Sequence, residues 1–319
     1  MTSSSLYAPL ASFAIALAAL PFLARATGIA IDQPNERSLH QTPVPRTGGV
    51  AILCGIFCGW LLLGQPSWPL AASLILLIAV SFSDDVKGMP VSIRFGTHFL
   101  ASLIFSFSIL HSVFLAAACA IAIVWMINLY NFMDGSDGLA GGMALFGFGY
   151  YALAAWMAND KVFALINMTV ATSAGAFLLF NFHPARIFMG DTGSIPMGFL
   201  AAALGLTGWQ NGDWPSWFPL FVFSPFIVDS TVTLFRRLFR GEKVWKAHRE
   251  HYYQRLIRMG LGHRNLALLE YALMLSAGAS SLSALKSPGE IQLALVAAWG
   301  AFFIFAMIRI DRRWAHFEE

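Results

Sequence analysis

Apolar runs of roughly 16 to 21 residues recur along the whole chain, separated by short stretches rich in Gly, Pro and Asp. They predict eleven helices, at 6–25, 49–64, 67–83, 95–110, 112–128, 140–158, 162–181, 194–210, 217–236, 265–285 and 290–309. Each is close to the roughly 17–25 residues that cross a bilayer's hydrocarbon core. The run at 194–210 is the weakest, because Pro196 opens it and three glycines interrupt it. "GIFCG" (Gly55, Gly59) and "GLAGG" (Gly138, Gly142) have the spacing that lets helix backbones approach closely.

Composition agrees with this pattern. Of 319 residues, 57% are hydrophobic and 12% charged, against about 25% charged in soluble domains. One integral-membrane domain, 1–319, is expected, and the fold class is an all-α polytopic membrane protein. Cys54, Cys58 and Cys119 are scattered and read as small buried residues, with no disulfide framework or metal-ligand spacing. Nothing basic precedes the first apolar run and Arg25 follows it, as for a retained first helix rather than a cleaved leader. All twenty Lys and Arg residues except Lys161 and Lys286 then fall on one face or the helix ends bordering it. The positive-inside rule makes that face cytoplasmic, with the N-terminus periplasmic and the C-terminus cytoplasmic. If 194–210 did not cross, the basic stretch after Arg236 would lie outside, against the rule.

Five loops of the same face hold the unusual polar residues. The first, "IDQPNERSLHQTPVPRTGG", contains Asp32, Asn35, Arg37, His40 and Arg46; the second, "SFSDDVKG", contains Asp84 and Asp85. The third, "NLYNFMDGSDGLAGG", spaces Asn128, Asn131, Asp134 and Asp137 three apart. An ideal helix would fan these four around its axis, so a tighter turn or a break at Gly135 and Gly138 is expected. The fourth, "NFHPARIFMGDTGS", contains Asp191, and the fifth, "HREHYYQRL", contains His248, Arg249 and His251. Carboxylates against apolar runs are costly and point to function. Aspartates without clustered cysteine suit Mg²⁺ or Mn²⁺ rather than zinc.

In "MGDTGS", Gly190, Thr192, Gly193 and Ser194 could offer backbone N–H groups and hydroxyls to a phosphate at a helix start. Asp84 and Asp85 point about 100° apart on a helix, so one would hold metal or phosphate while the other acts as base. His40, Arg46, His248, Arg249 and His251 are candidates to hold an anionic substrate's phosphates. Arg236, Arg237 and Arg240 read as membrane anchors. Asp229 lies inside the ninth run, a turn after the helix-breaking Pro225, and suits capping or helix pairing as well as a site role.

In order and spacing, "DQPNERSLHQTPVPRTGG", "SDDVKG", "NLYNFMDGSDGLAGG", "IFMGDTGS" and "FIVDSTVTLFRRL" resemble the polyprenyl-phosphate N-acetylhexosamine-1-phosphate transferases, the MraY and WecA family, across residues 32–264. The resemblance implies a Mg²⁺-dependent enzyme (Mn²⁺ as a substitute) of the bacterial inner membrane, acting at its cytoplasmic face. Undecaprenyl phosphate attacks the β-phosphate of a UDP-activated N-acetylated sugar and UMP leaves. It assigns Asp84 and Asp85 to the lipid phosphate, with Asp84 aiding deprotonation, Asp191 to the metal, and Asn128, Asn131, Asp134 and Asp137 to the nucleotide and diphosphate. The family's His-x-His-His string is here "HYYQ", with Tyr253 and Gln254 in place of two histidines; His248 and Arg249 upstream could replace the missing donors. This form is similar to the branch that initiates O-antigen and lipopolysaccharide glycans. Members of that branch can use 6-deoxy sugars of the N-acetylfucosamine or N-acetylquinovosamine type in place of N-acetylglucosamine, so the resemblance leaves the donor open between these and N-acetylglucosamine. No nucleic-acid partner is implied, and a homodimer is left open. The main rival is a secondary transporter that couples ions through these carboxylates, but its sites would sit near the midplane among internal repeats. A CDP-alcohol phosphotransferase would need D-G-x-x-A-R, and "DGSDGLAGG" lacks the Ala-Arg.

Overall fold

The computed structural model describes residues 3–25, 30–33, 43–64, 67–243 and 248–318. His40, Asn35 and Arg37 lie outside the described residues. The apolar runs fold as helices that pass back and forth between two ends of one bundle. α1 (Ala8–Leu23) and α2 (Gly48–Leu63) are antiparallel. Part of their connection is a two-residue ribbon, β1 (Ile31–Asp32) against β2 (Val44–Pro45), with Ile31 opposite Pro45. α3 (Trp68–Lys87) returns and α4 (Val91–Ile109) leaves again after Gly88. α5 (Val113–Met133) starts on Ser112, whose hydroxyl accepts the Leu115 N–H at 3.4 Å. α6 (Leu139–Met157) is followed by α7 (Lys161–Asn181), which Asp160 caps by accepting the Phe163 N–H at 3.0 Å.

α8 (Asp191–Asn211) runs through the middle, against α2, α3, α4, α5 and α6. Pro225 breaks the ninth run as expected, into α9 (Trp217–Val222) and α10 (Ser224–Phe239). A short α11 (Tyr252–Leu256) and a wide turn at Ile257–Leu261 lead into α12 (Gly262–Ala284). α13 (Gly289–Glu318) closes the chain. Gly55 and Gly59 do let helices approach: a Cβ on Gly55 would lie 2.5 Å from the Ser12 carbonyl of α1.

Eleven crossings are expected from the apolar pattern. Among the described residues, eight helical segments are long and apolar enough to cross a membrane. α2 is apolar but has only 16 residues, and α8 and the broken α9–α10 pair do not qualify. For α8 the reason is its position. Helices surround it, so it needs no lipid-compatible surface and carries Asp191, Thr192, Ser194 and several glycines. The outer helices show the opposite pattern, with large apolar side chains such as Phe22, Phe114, Leu293 and Phe305 turned outward. An apolar surface this extensive is that of a membrane protein.

Candidate active site

The helix ends that carry the five polar loops meet at one end of the bundle. Asp84 and Asp85 close α3 and diverge. Asp84 accepts the Met89 N–H at 2.6 Å and an Arg94 guanidinium N–H at 2.8 Å. Asp85 turns to α8, accepting the Asp191 N–H at 3.1 Å, the Thr192 N–H at 2.8 Å and the Thr192 hydroxyl at 2.6 Å. Asp191 itself accepts from Asn131 Nδ2 at 2.9 Å and stands 3.5 Å from Arg94. The Asn131 amide also donates to Ser194 Oγ at 2.8 Å. Arg46 pairs with Asp32 at 2.7 Å, and its backbone lies against Gly190.

One expectation fails here. The start of α8 cannot cradle a phosphate as read from "MGDTGS", because its donors are already used. Asp85 takes two N–H groups and the Thr192 hydroxyl, the Gly193 and Ser194 N–H groups bond the Gly190 carbonyl, and the Ser194 hydroxyl donates there too. Phosphate charge must be met by side chains or a cation instead.

The Asn/Asp tetrad is divided. α5 ends at Met133 and the chain breaks through Gly135 and Gly138, the latter in the left-handed region at φ +76°. Asn131 reaches Asp191, whereas Asn128 donates to the Val124 carbonyl of its own helix at 2.7 Å. Asp134 is half-buried beside the cluster. Burial, then the charges of Asp191 and Asp85, push its carboxyl well above the ordinary carboxylate range. Asp137 points away, pairing with His183 at 2.7 Å and accepting the Ala185 N–H at 3.1 Å. His263 stacks on His183 with ring centroids 5.6 Å apart and contacts Ser136 at 2.9 Å. The four residues therefore do not form a single wall: Asp137 holds the third loop to the fourth.

The fifth loop hangs on Asp229. Its carboxylate accepts the Tyr252 and Tyr253 N–H groups at 2.9 Å each and lies 3.3 Å from His251 Nδ1. His251 is buried, 6.0 Å between ring centroids from Phe132 and 4.8 Å from His248. The Tyr253 hydroxyl donates to the Phe132 carbonyl at 3.0 Å, and Gln254 Oε1 accepts the His251 N–H at 3.3 Å. The residues standing in for the family's histidines are thus used in the fold. Burial, with His251 and Arg237 nearby, lowers the His248 pKa to about 4, so near neutral pH it is an uncharged hydrogen-bonding group rather than a cation. Arg249 is half-exposed and has no ion-pair partner among the described residues. Arg236 and Arg237 are engaged by Asp311 and Glu242, at 2.6 and 2.8 Å.

Among the described residues, no three His, Cys, Asp or Glu side chains gather into a ready-made metal cage. The donor set fits a hard cation such as Mg²⁺, which binds one or two carboxylates and completes its shell with water and substrate phosphate. Asp191 and its neighbour Asp134 would be those carboxylates. Two buried donors suit the phosphates: among the described residues, the Nε atoms of Arg46 and Arg94 have no hydrogen-bond partner, an uncommon condition for buried polar groups. Arg94 is absent from the candidates read from the sequence. Its signal was present, as a lone arginine opening the apolar run at 95–110.

The family description "Glycosyl transferase family 4" matches residues 67–208, from the start of α3 almost to the end of α8. The chain is 28% identical over 263 residues to a Bacillus subtilis (strain 168) protein named "Probable undecaprenyl-phosphate N-acetylglucosaminyl 1-phosphate transferase", covering 76% of this chain and 74% of the relative. It is 26% identical to the Yersinia pestis undecaprenyl-phosphate alpha-N-acetylglucosaminyl 1-phosphate transferase, covering 90% and 84%. It is 30% identical to the phospho-N-acetylmuramoyl-pentapeptide-transferase of Geobacillus sp. (strain WCH70), covering 59% and 68%.

Proposed function

Because the chain belongs to glycosyl transferase family 4, we propose that it transfers an N-acetylated sugar 1-phosphate from a UDP-sugar to undecaprenyl phosphate at the cytoplasmic face of a bacterial inner membrane. The observation that carries this reading is the meeting of Asp84, Asp134 and Asp191 with Arg94 and Arg46, two guanidiniums that keep a buried N–H unused. Carboxylates for a hard cation and free guanidinium donors for phosphates are what joining a lipid phosphate to a nucleoside diphosphate requires.

In this reading an oxygen of the lipid phosphate attacks the β-phosphorus of the donor. The bond from that phosphorus to the oxygen of UMP breaks, and UMP carries the electron pair away. Asp191, with Asp134 beside it, would hold Mg²⁺, and the ion would supply charge neutralisation for the diphosphate. Asp84 receives or orders the lipid phosphate's proton, and Arg94 holds Asp84 and Asp191 within reach of one another's substrates. An apolar cavity of about 240 Å³, lined by Met126, Leu206, Phe223 and Ile227 between α5, α8 and the α9–α10 break, lies away from the carboxylates toward the other end of the bundle and could take only a distal part of the polyprenyl chain. The names of the relatives support an N-acetylated donor. Tyr253 and Gln254 are engaged within the fold, and Arg249 has no ion-pair partner among the described residues. The donor is a UDP-N-acetylated sugar, either N-acetylglucosamine, as in the relatives' names, or a 6-deoxy N-acetylhexosamine of the O-antigen-initiating branch, and a panel of donors separates the two.

The test is purified protein with undecaprenyl phosphate, Mg²⁺ and a panel of UDP-sugars, reading UMP release and the lipid-linked product. Turnover is expected with an N-acetylated donor, abolished by EDTA and nearly so by Asp191→Asn or Asp84→Asn. Wild-type rates in both variants would remove the site assignment. Sugar or ion flux without UMP release would make the protein a transporter.

A further inference from the structure

We propose that Asp85 is a positioning residue that acts through the first turn of α8, holding Asp191 in place, and does not itself touch the lipid phosphate. The inference rests on the transferase reading above, and it reverses the role that the family resemblance gives this residue.

The first N–H groups of a helix have no partner within it and are normally met by the side chain of the N-cap residue. Here the N-cap is Gly190, which has no side chain and lies at φ +70°. Asp85, 106 residues away in sequence, supplies the missing acceptor. A carboxylate can accept about four hydrogen bonds. Asp85 takes three from α8: Asp191 N–H at 3.1 Å to Oδ1, and Thr192 N–H and hydroxyl at 2.8 and 2.6 Å to Oδ2. The arrangement needs the glycine, since a Cβ at position 190 would lie 2.9 Å from Asp85 Oδ2 and 2.4 Å from the Arg46 carbonyl. The negative charge also faces the positive end of the helix.

This grip fixes the rotation of the turn that carries Asp191. From there one oxygen of Asp191 meets Asn131 at 2.9 Å and the other faces Arg94 at 3.5 Å. The adjacent Asp84 accepts no backbone N–H of α8 among the described residues: Arg94 and the Met89 N–H hold it, and its carboxyl lies beside that of Asp191. The pair thus divides its work by direction: Asp84 faces the substrate and Asp85 faces the scaffold.

The experiment uses the full chain in nanodiscs with Asp85→Asn, Thr192→Val, Thr192→Ser and Asp84→Asn. Three quantities are read: the Mg²⁺ concentration for half-maximal UMP release, KM for undecaprenyl phosphate, and hydrogen exchange of the amides at 191–194. Removing a partner that orients a metal ligand typically weakens metal response about 10–100-fold. Asp85→Asn is expected to raise the Mg²⁺ requirement within that range, speed exchange at 191–194, and leave KM for the lipid within about twofold. Thr192→Val should move the first two in the same direction but less, and Thr192→Ser, which keeps the hydroxyl, should restore them. Asp84→Asn should lower kcat without altering exchange at 191–194. If Asp85→Asn does not accumulate, Thr192→Val against Thr192→Ser decides the matter. A raised lipid KM with unchanged Mg²⁺ response and unchanged exchange overturns the proposal. If the wild-type protein releases no UMP from any donor, the transferase reading fails separately. Exchange at 191–194 then still decides whether Asp85 holds α8.

Discussion

Arg94 shows how one side chain can link two acids that would otherwise repel. Its guanidinium bonds Asp84 at 2.8 Å and lies 3.5 Å from Asp191, and its buried Nε–H has no partner among the described residues. An ammonium is a point charge on a flexible stem and cannot reproduce a planar fork. Arg94→Ala is therefore expected to lower kcat by about 10²-fold or more, the usual effect of losing a preorganised donor to developing charge. Arg94→Lys should fall between the two. A wild-type kcat in Arg94→Ala would make the contact structural only.

His248 makes a different case. Burial, with His251 and Arg237 beside it, lowers its pKa to about 4, below the usual value near 6.5. The folded protein then resists a proton that the unfolded chain accepts. Stability attributable to His248 is complete above about pH 6.5 and is lost as pH falls toward 4. Thermal unfolding in detergent between pH 7.5 and 5 should show a smaller acid loss of Tm in His248→Gln than in wild type. An equal loss in both would show that another group titrates.

The elements of this fold differ in how far sequence alone predicts them. The apolar runs located nearly every helix, because a chain in lipid must satisfy its backbone hydrogen bonds within each segment. Pro225 marked the α9–α10 break and the two glycines marked the end of α5. Less legible were the contacts between loops. That Asp85 caps α8, that Asp137 ties to His183, and that Tyr253 and Gln254 are consumed internally all depend on which loops touch. Asp229 is the clearest example, open from sequence between capping and site roles. It caps α11 from inside α10 and so carries the loop that holds His248, Arg249 and His251. Hydrogen bonds to a charged acceptor contribute about 1.5–3 kcal/mol each. Asp229→Asn, which keeps the size but loses the charge, should loosen this loop, speed proteolysis across 241–250, and raise KM for the UDP-sugar more than it lowers kcat. An unchanged KM would separate the fifth loop from donor binding.

α8 reconciles an apolar pattern with a polar site. Enclosed by other helices, it brings Asp191 to the bundle end without exposing it to lipid. Among the described residues, the polar loops lie at that end, and so do the Lys and Arg residues except Lys161 and Lys286. Those two sit beside the loops of the opposite end, where Asn211 approaches Asp160 at 3.4 Å and Lys286 lines a recess with Asp213 and Trp214. Asymmetry of positive charge orients membrane proteins with the cations inside, so the site end should face the cytoplasm, where nucleotide-sugars are available. Single cysteines at Glu242 and Ser287, in a chain with Cys54, Cys58 and Cys119 replaced by alanine, should then differ in intact cells. A membrane-impermeant maleimide is expected to label Ser287→Cys directly and Glu242→Cys only after the membrane is opened. The reverse pattern would place the carboxylates on the outer face and deny them a cytosolic donor. The site would then have to be read as serving some other anionic substrate.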